Sequence, residues 1–479
     1  DMTRLERIGL IKFDLLGLKT LTVIHKTLEI LAARGAPLDL SAIPLDDKST
    51  YKLIGDGDTS SVFQLESSGM RQMLRSLKPD KFEDIIAAVA LFRPGPMDLI
   101  PSYVERRHGR EKIEYLHPIL EPILKETYGI IVYQEQVMQI AQAVGGYSLG
   151  KADLLRRAMG KKKAEEMAKH RDIFIEGALQ RGVARDIASE MFSLMEKFAE
   201  YGFNKSHAAA YALVSYQTAY LKCHHFKEFM AANLTLDLNN MDKVVAHIAE
   251  CRSNNVAILS PDINESSWEF VTTDEGIRFG LGGIKNVGKG AVEIILKERE
   301  HGRYADLADF ISRINLTKVN RRVIEALLKA GAFDGLHKNR RSIFESLDTL
   351  IDAAQRAQKN RDDAQTTLFA LEEFEDPTPV FTLPDIPDWP EGERLKMEKE
   401  VLGFYISGHP LNGYAHVIER FSTATTLTLS ETSGKVILAG IIHNLNITRT
   451  KKGELMARAI FEDLNGTAPV IFFPKCYGA

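Results

Sequence analysis

Phe203-Asn-Lys-Ser-His-Ala-Ala-Ala-Tyr-Ala-Leu-Val-Ser-Tyr-Gln-Thr-Ala-Tyr-Leu-Lys222 is the stretch that decides the fold class. It reads as a helix over Ala208 to Lys222, opened by residues 203–207, with Ser206 as the expected cap. Working back to Gln134, four or five such helices are expected, separated at Gly145-Gly146, Gly160 and Tyr201-Gly202. Strand signals are scarce throughout. Further upstream, Ser61 to Leu77 is amphipathic, with Val62, Leu65, Gly69, Met73 and Leu77 three or four residues apart. Phe82 to Phe92 reads as another helix, ended by Pro94-Gly95-Pro96. Residues from about 50 to 250 are therefore expected to be mainly helical.

The flanks differ. Residues 8–16 alternate as a strand would, and Thr20 to Ala33 has helical periodicity. Past Ser260-Pro261, Trp268 to Val271 and Gly276 to Phe279 read as a short hairpin. Two helical pairs follow, up to about Leu350. Residues 351–395 are polar, then proline-rich, which suggests a linker. Lys435 to Ile442, Ala457 to Phe461 and Val470 to Phe473 read as strands that fit the start of a small barrel. The chain opens at Asp1-Met2 and stops just after an alternating apolar run, so it is expected to be a segment of a longer protein.

Composition excludes several classes. With 44% hydrophobic residues the chain can build cores and is not largely disordered. The longest apolar run, Ile85 to Phe92, is far too short to span a bilayer. Three scattered cysteines exclude a disulfide scaffold and point to a reducing cytoplasm. The net charge of −4 means that any nucleic-acid binding needs local basic patches.

Such patches exist. Gly283-Ile-Lys-Asn-Val-Gly288-Lys289-Gly290 nearly matches a P-loop but ends in glycine, so it lacks the hydroxyl that would hold Mg²⁺. A better reading is a helix–hairpin–helix turn, Val287-Gly288-Lys289-Gly290, whose glycines let backbone N–H groups approach a DNA phosphate. A second hairpin candidate runs from Arg321 past Gly331 to Leu347, and Lys318, Arg321, Arg322, Lys338, Arg340 and Arg341 add charge. Lys151 to Lys163 holds Arg156, Arg157 and Lys161 with Asp153 as the sole acid. A charge run is more often a solvated face, but this one spans a helix end where a phosphate fits, and arginine offers a bidentate fork. Lys205 and His207 would flank an anion at the next helix start. Asp14 is a strand carboxylate beside Lys12. Asp56-Gly57-Asp58 reads as a turn and N-cap, not a metal site, and Cys223-His224-His225 reads as structural.

Six runs together carry a resemblance: Gly9 to Leu18, Gly57 to Met70, Leu91 to Met97, Tyr133 to Met138, Lys151 to Lys162 and Phe203 to Tyr211. They resemble the alpha subunits of bacterial DNA polymerase III, the family C DNA polymerases, in order and over essentially the whole chain. The resemblance implies a multidomain, mainly α-helical fold: end of the palm with a small β segment (1–22), fingers (23–260), clamp-binding domain with helix–hairpin–helix motifs (261–375), linker (376–432) and partial OB-fold (433–479). It implies DNA-templated deoxynucleotidyl transfer by two Mg²⁺ ions in the intact subunit. Asp14 matches the third metal-binding aspartate. The other two belong to a Pro-Asp-x-Asp-x-Asp segment that these residues do not contain, so the segment alone is expected to be inactive. Arg156, Arg157, Lys161, Lys205 and His207 would bind the nucleotide, while Val287, Gly288, Lys289, Gly290, Lys338 and Arg340 would bind DNA. Gln365-Thr-Thr-Leu368-Phe369 resembles the family's sliding-clamp motif. Primer-template DNA, dNTP, the beta sliding clamp and other holoenzyme subunits are the implied partners, in the cytoplasm and with no membrane. The alternatives are a non-catalytic DNA- and clamp-binding module and an error-prone family C paralogue, with an NTPase a distant third.

Overall fold

The computed structural model describes residues 5, 8–10, 17–160, 164–199, 202–365, 383–426, 428–429, 432 and 434–478, the side chains of 160, 164–166, 199 and 357–365 excepted. The chain is mainly helical with two three-stranded sheets among these residues, in agreement with the sequence reading. No helix among them is long and apolar enough to cross a membrane. The chain forms two compact units, Asp1–Phe229 and Met230–Ala479.

The first unit has two cores. One is built on the helix Phe82–Leu91, whose residues 84 to 91 are all buried. It packs against the helix Lys205–His224, which turns Ala208, Ala212, Ser215 and Ala219 inward. Small residues on that face let the two backbones approach closely. The N-terminal turn of Phe82–Leu91 holds Asp84, fully buried and paired with Arg107 at 2.7 Å. The second core belongs to the helices Gln134–Ala143, Leu149–Gly160, Ala164–Leu179 and Arg185–Ala199, around Leu155, Phe174, Phe192 and Met195. With Lys205–His224 these make five helices, where four or five were expected between Gln134 and Lys222.

One expected helix is shorter. Ser61 to Leu77 is helical only over Ser68–Leu77, capped by Ser67. Val62 and Leu65 are buried as their spacing predicts. The backbone before the cap turns left-handed at Ser61 and Gln64, and residues in that conformation cannot continue a right-handed helix. The expected strand over 8–16 lies largely outside the described residues, which include only 8–10 of it.

In the second unit, Gly276–Arg278 pairs antiparallel with Val271–Thr272, the expected hairpin, and parallel with Ala257–Leu259. A Cβ at Gly276 would run into the Ala257 carbonyl oxygen, so glycine is required there. The helices Lys289–Arg299, Leu307–Arg313, Arg321–Lys329 and Arg340–Gln365 follow. Phe310 joins them, in contact with Tyr304 and Phe333 at ring distances of 4.9 and 5.0 Å.

The stretch expected as a linker is not all linker. Glu391–Leu402 is a helix that buries Leu395, Glu398, Val401 and Leu402, with Pro390 as its N-cap residue. Its proline-rich approach marks a helix start, which composition alone does not distinguish from a spacer. The last sheet is an antiparallel meander of Ile441–Arg449, Leu455–Glu462 and Thr467–Phe472. Its first strand begins later than expected and contains a bulge between His443 and Asn446, with Asn444 at φ +52°. The bulge bends the strand locally and interrupts its pairing with Leu455–Glu462.

Candidate nucleotide and nucleic-acid site

Asn204, not Ser206, caps the helix Lys205–His224: its Oδ1 accepts the His207 N–H at 2.8 Å. Glu135 reaches the same helix start, accepting the Lys205 N–H and the Asn204 side-chain amide, each at 2.9 Å. A protein carboxylate therefore sits where the sequence suggested an anion site. The Lys205 ammonium pairs with Glu126 at 2.7 Å and lies over the Tyr133 ring. His207 is exposed, and its ring packs on Tyr211 with centroids 4.4 Å apart.

Arg156 and Arg157 share one carboxylate. Asp153 accepts from Arg156 at 2.8 and 3.0 Å and pairs with Arg157 at 2.9 Å. Hydrogen bonding to Arg156 is the main cause that lowers the Asp153 pKa. Arg157 is well exposed and Arg156 only partly. Arg156 also donates from Nη1 to Gln134 Oε1 at 2.9 Å. The other end of that amide, Gln134 Nε2, donates to the Gly202 carbonyl at 2.9 Å, and the Gln134 N–H donates to the Phe203 carbonyl. One residue thus ties the Arg156 helix to the segment that starts Lys205–His224. Two patches 50 residues apart in sequence become one constellation.

Beside it is a cavity of about 350 Å³ lined by Gln64, Ser67, Met70, Val89, Phe92, Arg93, Phe203, His207 and Tyr211. The Arg93 guanidinium stacks over Phe203 at 3.8 Å, and burial draws it below its ordinary pKa. Sequence reasoning assigned no role to Gln134, Glu135, Arg93, Gln64 or Tyr211. The first four lie in the runs that carry the family resemblance, which was the signal to follow, and Tyr211 ends the last of those runs.

The helix–hairpin–helix turn is open. No side chain caps Lys289–Arg299, and a Cβ at Gly288 or Gly290 would meet nothing within 4 Å. Neither glycine is left-handed; Asn286 is, at φ +69°. The glycines there leave room above the helix start. Val287 is buried beneath the turn, while Lys289 is exposed and 4.0 Å from Glu293. Lys338 is exposed. Arg340 is not: it is buried, bound to Asp334 at 2.6 Å and to fully buried Glu398 at 3.0 Å. That expected DNA contact is an internal brace.

Asp14, Lys161, Leu368 and Phe369 lie outside the described residues, as does the side chain of Gln365. Asp56 closes the helix Lys48–Gly55 instead of capping the next one, and Asp58 accepts from Lys222. Asp47, Cys223 and His224 form the one three-ligand cluster found among the described residues. Asp47 caps Lys48–Gly55 through Thr50 and binds His224 at 2.9 Å. Burial, with the charges of Asp47 and Asp58, raises the Cys223 thiol. This mixed set does not suit Mg²⁺, which takes oxygen ligands; the sequence reading, which saw no partner ligand for Cys223 and His224, did not foresee Asp47 beside them.

Residues 20–182 match the family described as the bacterial DNA polymerase III alpha subunit finger domain, and residues 255–343 match a helix–hairpin–helix motif. The chain is 44% identical to DNA polymerase III subunit alpha of Borreliella burgdorferi over 99% of its length, covering 42% of that protein. It is 52% identical to the Xylella fastidiosa subunit over 86% of its length, covering 35% of it. Against the Escherichia coli K12 subunit it is 45% identical over 99% of its length, covering 42%. The chain therefore spans about two fifths of the curated relatives it matches. It belongs to the family of bacterial DNA polymerase III alpha subunits.

Proposed function

We propose that this chain supplies the incoming-nucleotide and part of the DNA-binding surface of a DNA-templated DNA polymerase. The observation that carries the proposal is the meeting, through Gln134, of Arg156 with the start of Lys205–His224 beside an open cavity. Arg156 and Arg157, with Lys161, offset triphosphate charge. His207 and Tyr211 give a planar wall to a base or sugar, and Lys205 keeps the helix start in place through Glu126. The described residues do not themselves build a Mg²⁺ site. Mg²⁺, held by Asp14 with carboxylates from outside this sequence, would supply the electrostatic stabilisation of phosphoryl transfer. The open turn at Val287 to Gly290 and exposed Lys338 grip the DNA backbone without reading sequence. Gln365, Leu368 and Phe369 are the proposed sliding-clamp contact, and the other holoenzyme subunits are further proposed partners.

Arg156→Ala in the full-length subunit tests the nucleotide reading. Loss of a charge-assisted contact should cut nucleotide incorporation by about 10-fold or more. Steady-state incorporation equal to the parent's would mean the basic run is a solvated face.

A further inference from the structure

The loop 58–65 runs beside the helix Lys205–His224 and is fixed to it at several points. Lys222, whose side chain is 1% exposed, directs its ammonium into the loop. It donates to the Asp58 carbonyl and Oδ1, both at 2.9 Å, and to the Ser60 carbonyl and Oγ at 3.2 and 3.1 Å. Three N–H groups facing four acceptors leave that ammonium saturated. Thr59 Oγ1 closes the loop by donating to the Leu65 carbonyl at 2.6 Å. Thr218 Oγ1 accepts the Phe63 N–H at 3.2 Å, and the Phe63 ring packs on Tyr211.

Between the fully buried Val62 and Leu65 the chain turns outward. Gln64 adopts φ 63° there, and Ser61, just before Val62, φ 60°. Residues with a Cβ resist that conformation, and it persists only where the surroundings over-determine it. Burial does not offset the strain at Gln64, because Gln64 is exposed. Its strained backbone presents the side chain to the cavity wall, beside His207, Tyr211 and Arg93.

We propose that Gln64 contacts the incoming nucleotide in this cavity and that Lys222 is its positioning residue. The proposal rests on the nucleotide reading given above. A carboxamide offers one donor face and one acceptor face. It fits a ligand group that both donates and accepts, which describes a sugar hydroxyl and a base edge alike.

Five variants of the full-length subunit on primed DNA test this. Gln64→Ala should raise the KM for dNTP about 5-fold, with kcat within about twofold, as loss of one hydrogen bond predicts. Its melting temperature and DNA affinity should match the parent's. Lys222→Met, or Thr218→Val if the buried lysine proves essential for folding, should raise the same KM in the parent and add nothing in the Gln64→Ala background. With a 2′,3′-dideoxynucleotide the Gln64→Ala penalty vanishes if the contact is the 3′-hydroxyl and remains if it is the base. An unchanged KM in Gln64→Ala, while His207→Ala is impaired, overturns the proposal but keeps the nucleotide site. If His207→Ala and Arg156→Ala are also unimpaired, the nucleotide reading itself fails. A fall in melting temperature without a change in KM for Lys222→Met and Thr218→Val would leave both with structural roles only.

Discussion

Lys338 and Arg340 stand two residues apart in one basic cluster, yet only Lys338 faces solvent. Arg340 neutralises Glu398, which is completely buried, and grips Asp334 with Nε and Nη2. Arg340→Ala should leave a buried carboxylate unpaired and cost about 3–5 kcal/mol of stability. Thermal denaturation should show that loss; a melting temperature within a degree of the parent's would mean the pair is not a brace. Sequence reading could not separate the two, because both are cations before or at a helix start. The difference lies in Glu398, 58 residues away on a helix that looked like linker. The same limit hid Gln134. Its amide matters only because Gly202 and Arg156 meet there, and spacing along the chain does not reveal such a meeting.

At the scale of elements, the link between the helix Glu391–Leu402 and the C-terminal sheet is charged. Glu462 contacts Lys399, His443 at 2.6 Å and His409 at 3.8 Å. Burial alone would raise this carboxyl, but His409, Lys399 and His443 outweigh it and hold it down at about 2. A carboxyl lowered by folding stabilises the folded state above its ordinary value of 4.5 and loses that contribution as pH falls toward 2. Glu462→Gln should therefore flatten the fall in stability over that acid range, by up to about 3 kcal/mol. Hydrogen exchange of Leu455–Glu462 between pH 5 and pH 3 reads it directly; identical acid sensitivity in the variant would refute the assignment. Helix periodicity located the elements well where apolar spacing ran unbroken, as in Phe82–Leu91. It overran at Ser61 because buried positions in a turn can keep helical spacing without helical backbone. It missed Glu391–Leu402, a charged helix with one buried glutamate.

For the whole molecule, a net charge of −4 sets the terms of the proposed DNA binding. Attraction must come from local cations, and each phosphate contact releases counterions. Lys289→Ala and Lys338→Ala should each reduce the slope of log affinity against log salt by about 0.9. Filter binding or anisotropy across a salt series measures it. A uniform loss of affinity with no change in slope would place these lysines off the backbone. Arg340→Ala should leave the slope alone. The broad architecture was legible because helical cores and a β tail differ in texture. The division at Phe229 and Met230 was not, since the apolar helix Phe226–Leu236 contains no punctuation there.

Arg156 is already oriented by its neighbours. Among the described residues, Asp153 and Gln134 engage three of its five N–H groups, and the other two are on the terminal nitrogens. Freezing a long side chain on binding usually costs about 0.5–1.5 kcal/mol, and here folding has met that cost in advance. Under the proposed nucleotide reading, a phosphate arriving at this guanidinium would lose little of its binding energy to ordering the protein, so weak and rapidly reversible contacts would suffice to sort one substrate after another.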